Sequence, residues 1–213
     1  TYASAFAGYG FGSAGCHAPH AMSYAISGRN KGFVAAGYEH VRPWERPATP
    51  TRPLTGRAWS APPGTPQTSV SGGKSKPLVP HGISVVLSAP AVFRWSAASN
   101  PARHYEAARI LAGDETVPLR ISLYTGKRSD DIGVPLSASV TAESAGEALS
   151  MQLLRYMEAL GVPDGLGAVG YTAADVPALV EATLPQQRVL KLTPTLAARD
   201  TLTSLFSAGL KVY

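Results

Sequence analysis

Two histidines with small residues around them are the part of this chain best suited to chemistry. His20 stands in Cys16-His17-Ala18-Pro19-His20-Ala21-Met22-Ser23-Tyr24, and His81 in Leu78-Val79-Pro80-His81-Gly82. Each comes just before a run able to form a helix. Neutral imidazole is a common ligand for zinc and ferrous iron. Metal centres usually take three or four protein ligands, so two imidazoles make half a site. Cys16, the single cysteine, could add a soft ligand; a small buried thiol is the commoner role. One cysteine cannot form an intrachain disulfide, and this fits a reducing compartment.

Other motifs carry less chemistry. His40 and His104 read as polar surface or core groups rather than ligands, and Asp130-Asp131 as a solvated turn, since oxygen-ligand cation sites need more acidic partners. Gly10, Gly12 and Gly15 meet the G-x-G-x-x-G spacing, but no strand precedes them and no βαβ unit follows. The glycine-rich start therefore reads as close packing. Gly73-Lys74-Ser75 imitates the end of a phosphate-binding loop, yet Thr68 occupies the position that requires glycine. Arg42, Arg46, Arg52 and Arg57, interleaved with Trp44 and Trp59, could grip single-stranded nucleic acid. A solvated loop is the simpler reading, because the net charge of +5 is modest and no nucleic-acid-binding motif accompanies the patch.

The elements that must position the histidines are helical. A helix is expected from His17 to Ile26, ending near Gly28, which places His17, His20 and Tyr24 on one face. Residues 82–89 suit either a strand or a helix face made of Ile83, Val86, Leu87 and Pro90. Asn100-Pro101 opens a helix to Leu111, with Asn as cap and Pro in the first turn. Ser144 and Glu147 have capping-box spacing before an apolar face of Leu149, Leu153, Tyr156, Met157 and Leu160, closed by Gly161 and Pro163. Thr172 and Asp175 repeat that spacing before Leu179, Val180 and Leu184, and Leu202, Leu205, Phe206 and Leu210 form a last apolar face. These stripes predict an all-α domain. It divides into its start at 1–39, a Pro-rich insert at 40–77, and the remainder at 78–213 with an irregular insert near 115–142. No apolar run approaches the roughly 20 residues that span a bilayer. The segment Thr1-Tyr2-Ala3-Ser4-Ala5-Phe6 has neither the basic nor the apolar region of a signal peptide, and it lacks an initiator Met, so either a fragment or a gene model that starts mid-protein is expected.

His20-Ala21-Met22-Ser23-Tyr24-Ala25-Ile26-Ser27-Gly28 and Leu78-Val79-Pro80-His81-Gly82-Ile83-Ser84-Val85-Val86-Leu87 resemble the C-terminal half of iron-containing alcohol dehydrogenases. Within that family the likeness is greatest to the mitochondrial hydroxyacid-oxoacid transhydrogenase branch. Asp164-Gly165-Leu166-Gly167-Ala168-Val169-Gly170-Tyr171 and Thr183-Leu184-Pro185-Gln186-Gln187-Arg188-Val189 carry the same likeness, in the same order.

The resemblance implies a helical C-terminal domain that works beside an N-terminal nucleotide-binding half. By position, His20 and His81 match two histidine ligands of Fe(II) or Zn(II). The remaining Asp and His ligands belong to an Asp-x-x-x-His element that this sequence lacks, as it lacks the Gly-Gly-Gly-Ser motif that holds the cofactor phosphates. NAD is therefore expected only with the missing half. Many family members carry a histidine four residues after the first ligand; Tyr24 stands there, so a histidine proton relay does not transfer. The resemblance gives Tyr24 a part in shaping the cofactor pocket. It leaves His17 to contact a substrate carboxylate, to tune the site, or to be structural. The implied substrates are small hydroxyacids and oxoacids, the implied compartment is the mitochondrion, and there is room for a homo-oligomer. The competing reading is a catalytically inactive helical module that acts only by packing against partners.

Overall fold

The computed structural model describes residues 2–36, 79–112 and 140–213. The Pro-rich insert at 40–77, most of the irregular insert near 115–142, His40, the Arg/Trp patch and Asp130-Asp131 lie outside the described residues. Among those described, the regular elements are helical, as the apolar stripes predict.

Helix α1 (Tyr2–Ala14) buries no residue. The close packing expected of its glycines is not found: a Cβ at Gly8, Gly10 or Gly12 would meet nothing within 4 Å. The glycines lie on a solvated helix, and only Gly15, just past its end, approaches a neighbour. Gly15 has φ 76° and donates its N–H to Phe11 O at 2.8 Å, a left-handed helix stop.

Helix α2 (Ala18–Gly28) is the centre of the molecule. Pro19 sits in its first turn, where a missing N–H costs nothing. Ala18, Ala21, Met22, Ser23, Ala25 and Ile26 are all buried. The alanines keep the helix thin, so that α3 (His81–Val86), α8 (Val176–Thr183) and α9 (Gln187–Leu190) can pack against it. Asn30 then turns the chain: its Oδ1 accepts the N–H groups of Gly32 and Phe33, and its Nδ2 donates to Phe33 O.

The ambiguous run at 82–89 is helical. It forms α3 and then α4 (Ala89–Ser96) rather than one longer helix. Pro90, in the first turn of α4, has no N–H to continue a ladder from α3, so the chain restarts at Ser88. Leu87 and Pro90 are buried and Ile83 and Val86 pack against the core, as the helix-face alternative requires.

Helix α5 (Pro101–Leu111) begins as the sequence predicts, with the Asn100 side chain accepting the N–H of Arg103. Helix α6 (Ala142–Ala159) starts one turn earlier than predicted. Thr141 is its cap and Ser144 completes the box, so the Ser144/Glu147 reading is corrected. Glu147 instead pairs across to Arg94 Nε of α4 at 2.7 Å. The predicted apolar face is also too wide. Leu149 and Met157 are buried, whereas Tyr156 and Leu160 are exposed, Tyr156 donating its hydroxyl to Leu111 O at the end of α5.

Helix α7 (Gly165–Ala168) is locked to the C-terminus. Leu166 and Gly167 donate N–H groups to Gly209 O and Leu210 O, each at 2.8 Å, and Asp164 Oδ1 accepts from Val212 and Tyr213. Gly165 has φ 73°, and a Cβ there would lie 2.7 Å from Gly209 O, so no other residue fits. The Thr172/Asp175 capping box forms as predicted, ahead of α8. Helix α10 (Arg199–Ala208) closes the core with Leu202, Leu205 and Phe206. Each such fully buried side chain contributes roughly 1.5–3 kcal/mol.

Candidate functional site

The two histidines sit at equivalent places on adjoining helices. His20 lies in the first turn of α2, and His81 opens α3. Both are fixed from behind in the same way. Ser23 Oγ donates to His20 O at 2.7 Å, and Ser84 Oγ donates to His81 O at 2.8 Å. Both serines are fully buried, so each helix holds its histidine toward the surface while a hydroxyl anchors the turn below.

This packing brings the two rings together. Their centroids are 5.2 Å apart, with planes inclined at 64°. Two imidazoles on one tetrahedral ion, with metal–nitrogen bonds of about 2.1 Å, hold their centroids roughly 5 Å apart. The spacing therefore suits a shared ion. The Tyr24 ring stacks against His81 at 6.3 Å. Burial pulls the His20 pKa below its usual value, and the neighbouring His81 lowers it further. The neutral imidazole so favoured is the form that ligates metals.

The rings open into a cavity of about 470 Å³. Its polar lining is Cys16, His20, Tyr24, His81 and Arg188; Phe11, Val189 and Leu192 supply apolar walls. Among the described residues, no three His, Cys, Asp or Glu side chains are placed to hold a metal. The donor set thus fits half a centre. A second cavity of similar volume opens beside Ala91, Trp95 and Leu205, but its arginine, Arg94, is already paired with Glu147.

His17 does not join this group. It is the N-cap residue of α2, outside the helical repeat, and its ring meets Phe93 edge-on at 5.8 Å. It is absent from the cavity lining, so the three-residue face expected of α2 is reduced to His20 and Tyr24. Its pKa is lowered, by burial first and then by His20 and His104, and its buried Nδ1 has no hydrogen-bond partner. His104 is held by Ser96 Oγ at 3.0 Å and Asn100 O at 2.9 Å, in keeping with a polar structural group.

Sequence reasoning gave Arg188 no role. Val189 and Leu190, its neighbours on α9, are buried, and this packing sets Arg188 at the cavity edge, with Nη2 donating to Tyr24 Oη at 3.4 Å. The signal available was one cation preceding a buried apolar pair; its target lies far away in the sequence, so spacing could not reveal it.

Nearly the whole chain aligns with known proteins. It is 39% identical over 211 residues to the mitochondrial hydroxyacid-oxoacid transhydrogenase of Xenopus laevis, which covers 99% of this chain and 34% of that protein. The Homo sapiens protein of the same name is 37% identical and the Mus musculus one 36%, each over 99% of this chain and 33% of their own length. Over nearly its whole length the chain is similar to proteins named hydroxyacid-oxoacid transhydrogenase. It spans about a third of the length of these curated relatives. No family model matches it, and no solved structure does.

Proposed function

We propose that this chain is the metal-binding, C-terminal helical portion of a mitochondrial hydroxyacid-oxoacid transhydrogenase. The observation that carries the reading is the meeting of His20 and His81, from two distant segments, at 5.2 Å on one cavity wall. On this reading 4-hydroxybutyrate is oxidised to succinate semialdehyde. 2-Oxoglutarate would be reduced to 2-hydroxyglutarate in the same cycle, and NAD, held by the other half of the enzyme, would supply the hydride-carrying chemistry. The NAD site and the remaining ligands belong to a nucleotide-binding half outside this sequence.

His20 and His81 would hold Fe(II) or Zn(II), which supplies Lewis acidity toward the substrate hydroxyl. The protein's own part is placement. Ser23 and Ser84 fix the two ligand-bearing turns. Tyr24 stacks on His81 and restricts its ring. Phe11, Val189 and Leu192 give the cavity an apolar wall. His17 packs edge-on against Phe93, off the cavity wall, and takes a structural role.

With two of the ligands missing, this polypeptide holds metal weakly, because much of the chelate stabilisation is lost. Anaerobic calorimetry with Fe(II) or Zn(II) tests the assignment. His20→Ala and His81→Ala should each weaken binding by about tenfold or more, since losing even a hydrogen-bond partner of a ligand costs about 10–100-fold. Equal binding by both variants and the parent would remove the metal reading.

A further inference from the structure

We infer that Arg188 is the carboxylate anchor of the His20/His81 cavity, the group by which the site selects hydroxyacids over plain alcohols. This rests on the transhydrogenase reading and deepens it. Three observations support it. First, among the described residues no Asp or Glu lines the cavity, and Arg188 is the one arginine or lysine in its lining. Second, the ion pairs among the described residues join Lys31 to Asp175, Arg94 to Glu147, Arg103 to Glu106 and Arg199 to Glu181; Arg188 takes part in none. Its hydrogen bond is the long one to Tyr24, which leaves most of its five N–H donors for a ligand. Third, Tyr24 links the guanidinium to the histidines, its hydroxyl at Arg188 and its ring stacked on His81. One tyrosine therefore separates the cation from the imidazole pair, a gap suited to a short chain with a hydroxyl at one end and a carboxylate at the other. The planar guanidinium fork matches a carboxylate through two parallel bonds, which a neutral hydroxyl cannot replace.

The test compares 4-hydroxybutyrate with 1,4-butanediol, which has the same carbon chain and no charge. Both are titrated into the chain and followed by protein-observed NMR. The parent should bind 4-hydroxybutyrate about tenfold more tightly than the diol, the scale of one charge-assisted pair at an open site. Arg188→Met should erase that preference, while Arg188→Lys should retain part of it. Circular dichroism checks that both variants fold; Arg188 is exposed, and if the Met variant fails to fold, Arg188→Gln takes its place. A parent that binds both ligands alike, or a charge-removed variant that keeps the preference, overturns the assignment. The metal titrations of His20→Ala and His81→Ala are read separately. If these histidines do not affect metal binding while the preference still depends on Arg188, the transhydrogenase reading alone falls. If metal binding depends on them and the preference does not depend on Arg188, the anchor alone falls.

Discussion

Tyr171 and Asp175 show how much single side chains carry at the end of α2 away from His20. The buried Tyr171 hydroxyl donates to Ile26 O at 2.6 Å and ties the end of α2 to the turn before α8. Tyr171→Phe should lower unfolding free energy by about 1 kcal/mol in urea titrations, since it deletes one buried hydrogen bond. Burial, and then Asp175, push the Tyr171 pKa up to about 12. The folded state therefore favours the neutral phenol. Stability due to this group is fully present below about pH 10, where the unfolded tyrosine begins to ionise, and is lost as pH rises toward 12. Urea midpoints between pH 9 and 12 should show that loss, and Tyr171→Phe should flatten it. Asp175 behaves in the opposite sense. Lys31 first, and then the N–H and hydroxyl of Thr172, hold its pKa down to about 2. Its contribution is present above the ordinary value of 3.8 and is lost as pH falls toward 2. Asp175→Asn should remove that acid slope from thermal melts. The Thr172/Asp175 box was legible from local spacing. Lys31 as a partner was not, because it reaches Asp175 only once α2 and α8 have packed.

Among elements, helix ends with local causes could be read from the sequence, whereas features that depend on a neighbour could not. Asn100 caps α5 and Gly161 ends α6 with φ 65°, both dictated by residues within a turn. Glu147 could not be read the same way, because Arg94 of α4 claims it. The glycines of α1 suggest close packing, but glycine permits close approach without requiring it, and α1 is solvated. The close approach occurs instead at Gly146, where a Cβ would lie 2.8 Å from Arg94 O and 3.0 Å from Ala97 Cβ. Those atoms belong to the α4 backbone and the turn after it, and cannot simply rotate away. Gly146→Ala gains helix propensity but should still destabilise by about 1–3 kcal/mol, the usual range for overpacking, as a lower urea midpoint with an unchanged slope would show.

At the scale of the whole molecule, one core cluster joins α2, α4 and α6 to α10, with α3 packed against it, and α1 stands outside it. Deleting residues 1–10 should therefore shift the thermal midpoint by no more than about 2 °C, because the deleted helix buries no side chain. The all-α class follows from apolar stripes that any core-facing helix shows. The functional site was legible as two histidine motifs. Their convergence was not, because it depends on how α3 packs against α2 after a long intervening segment. That convergence is the central claim, and paramagnetic NMR on the Co(II)-loaded chain tests it most directly. The account predicts two hyperfine-shifted imidazole N–H resonances, one missing in His20→Ala and the other missing in His81→Ala. A single shifted resonance, or spectra that neither substitution alters, would contradict it.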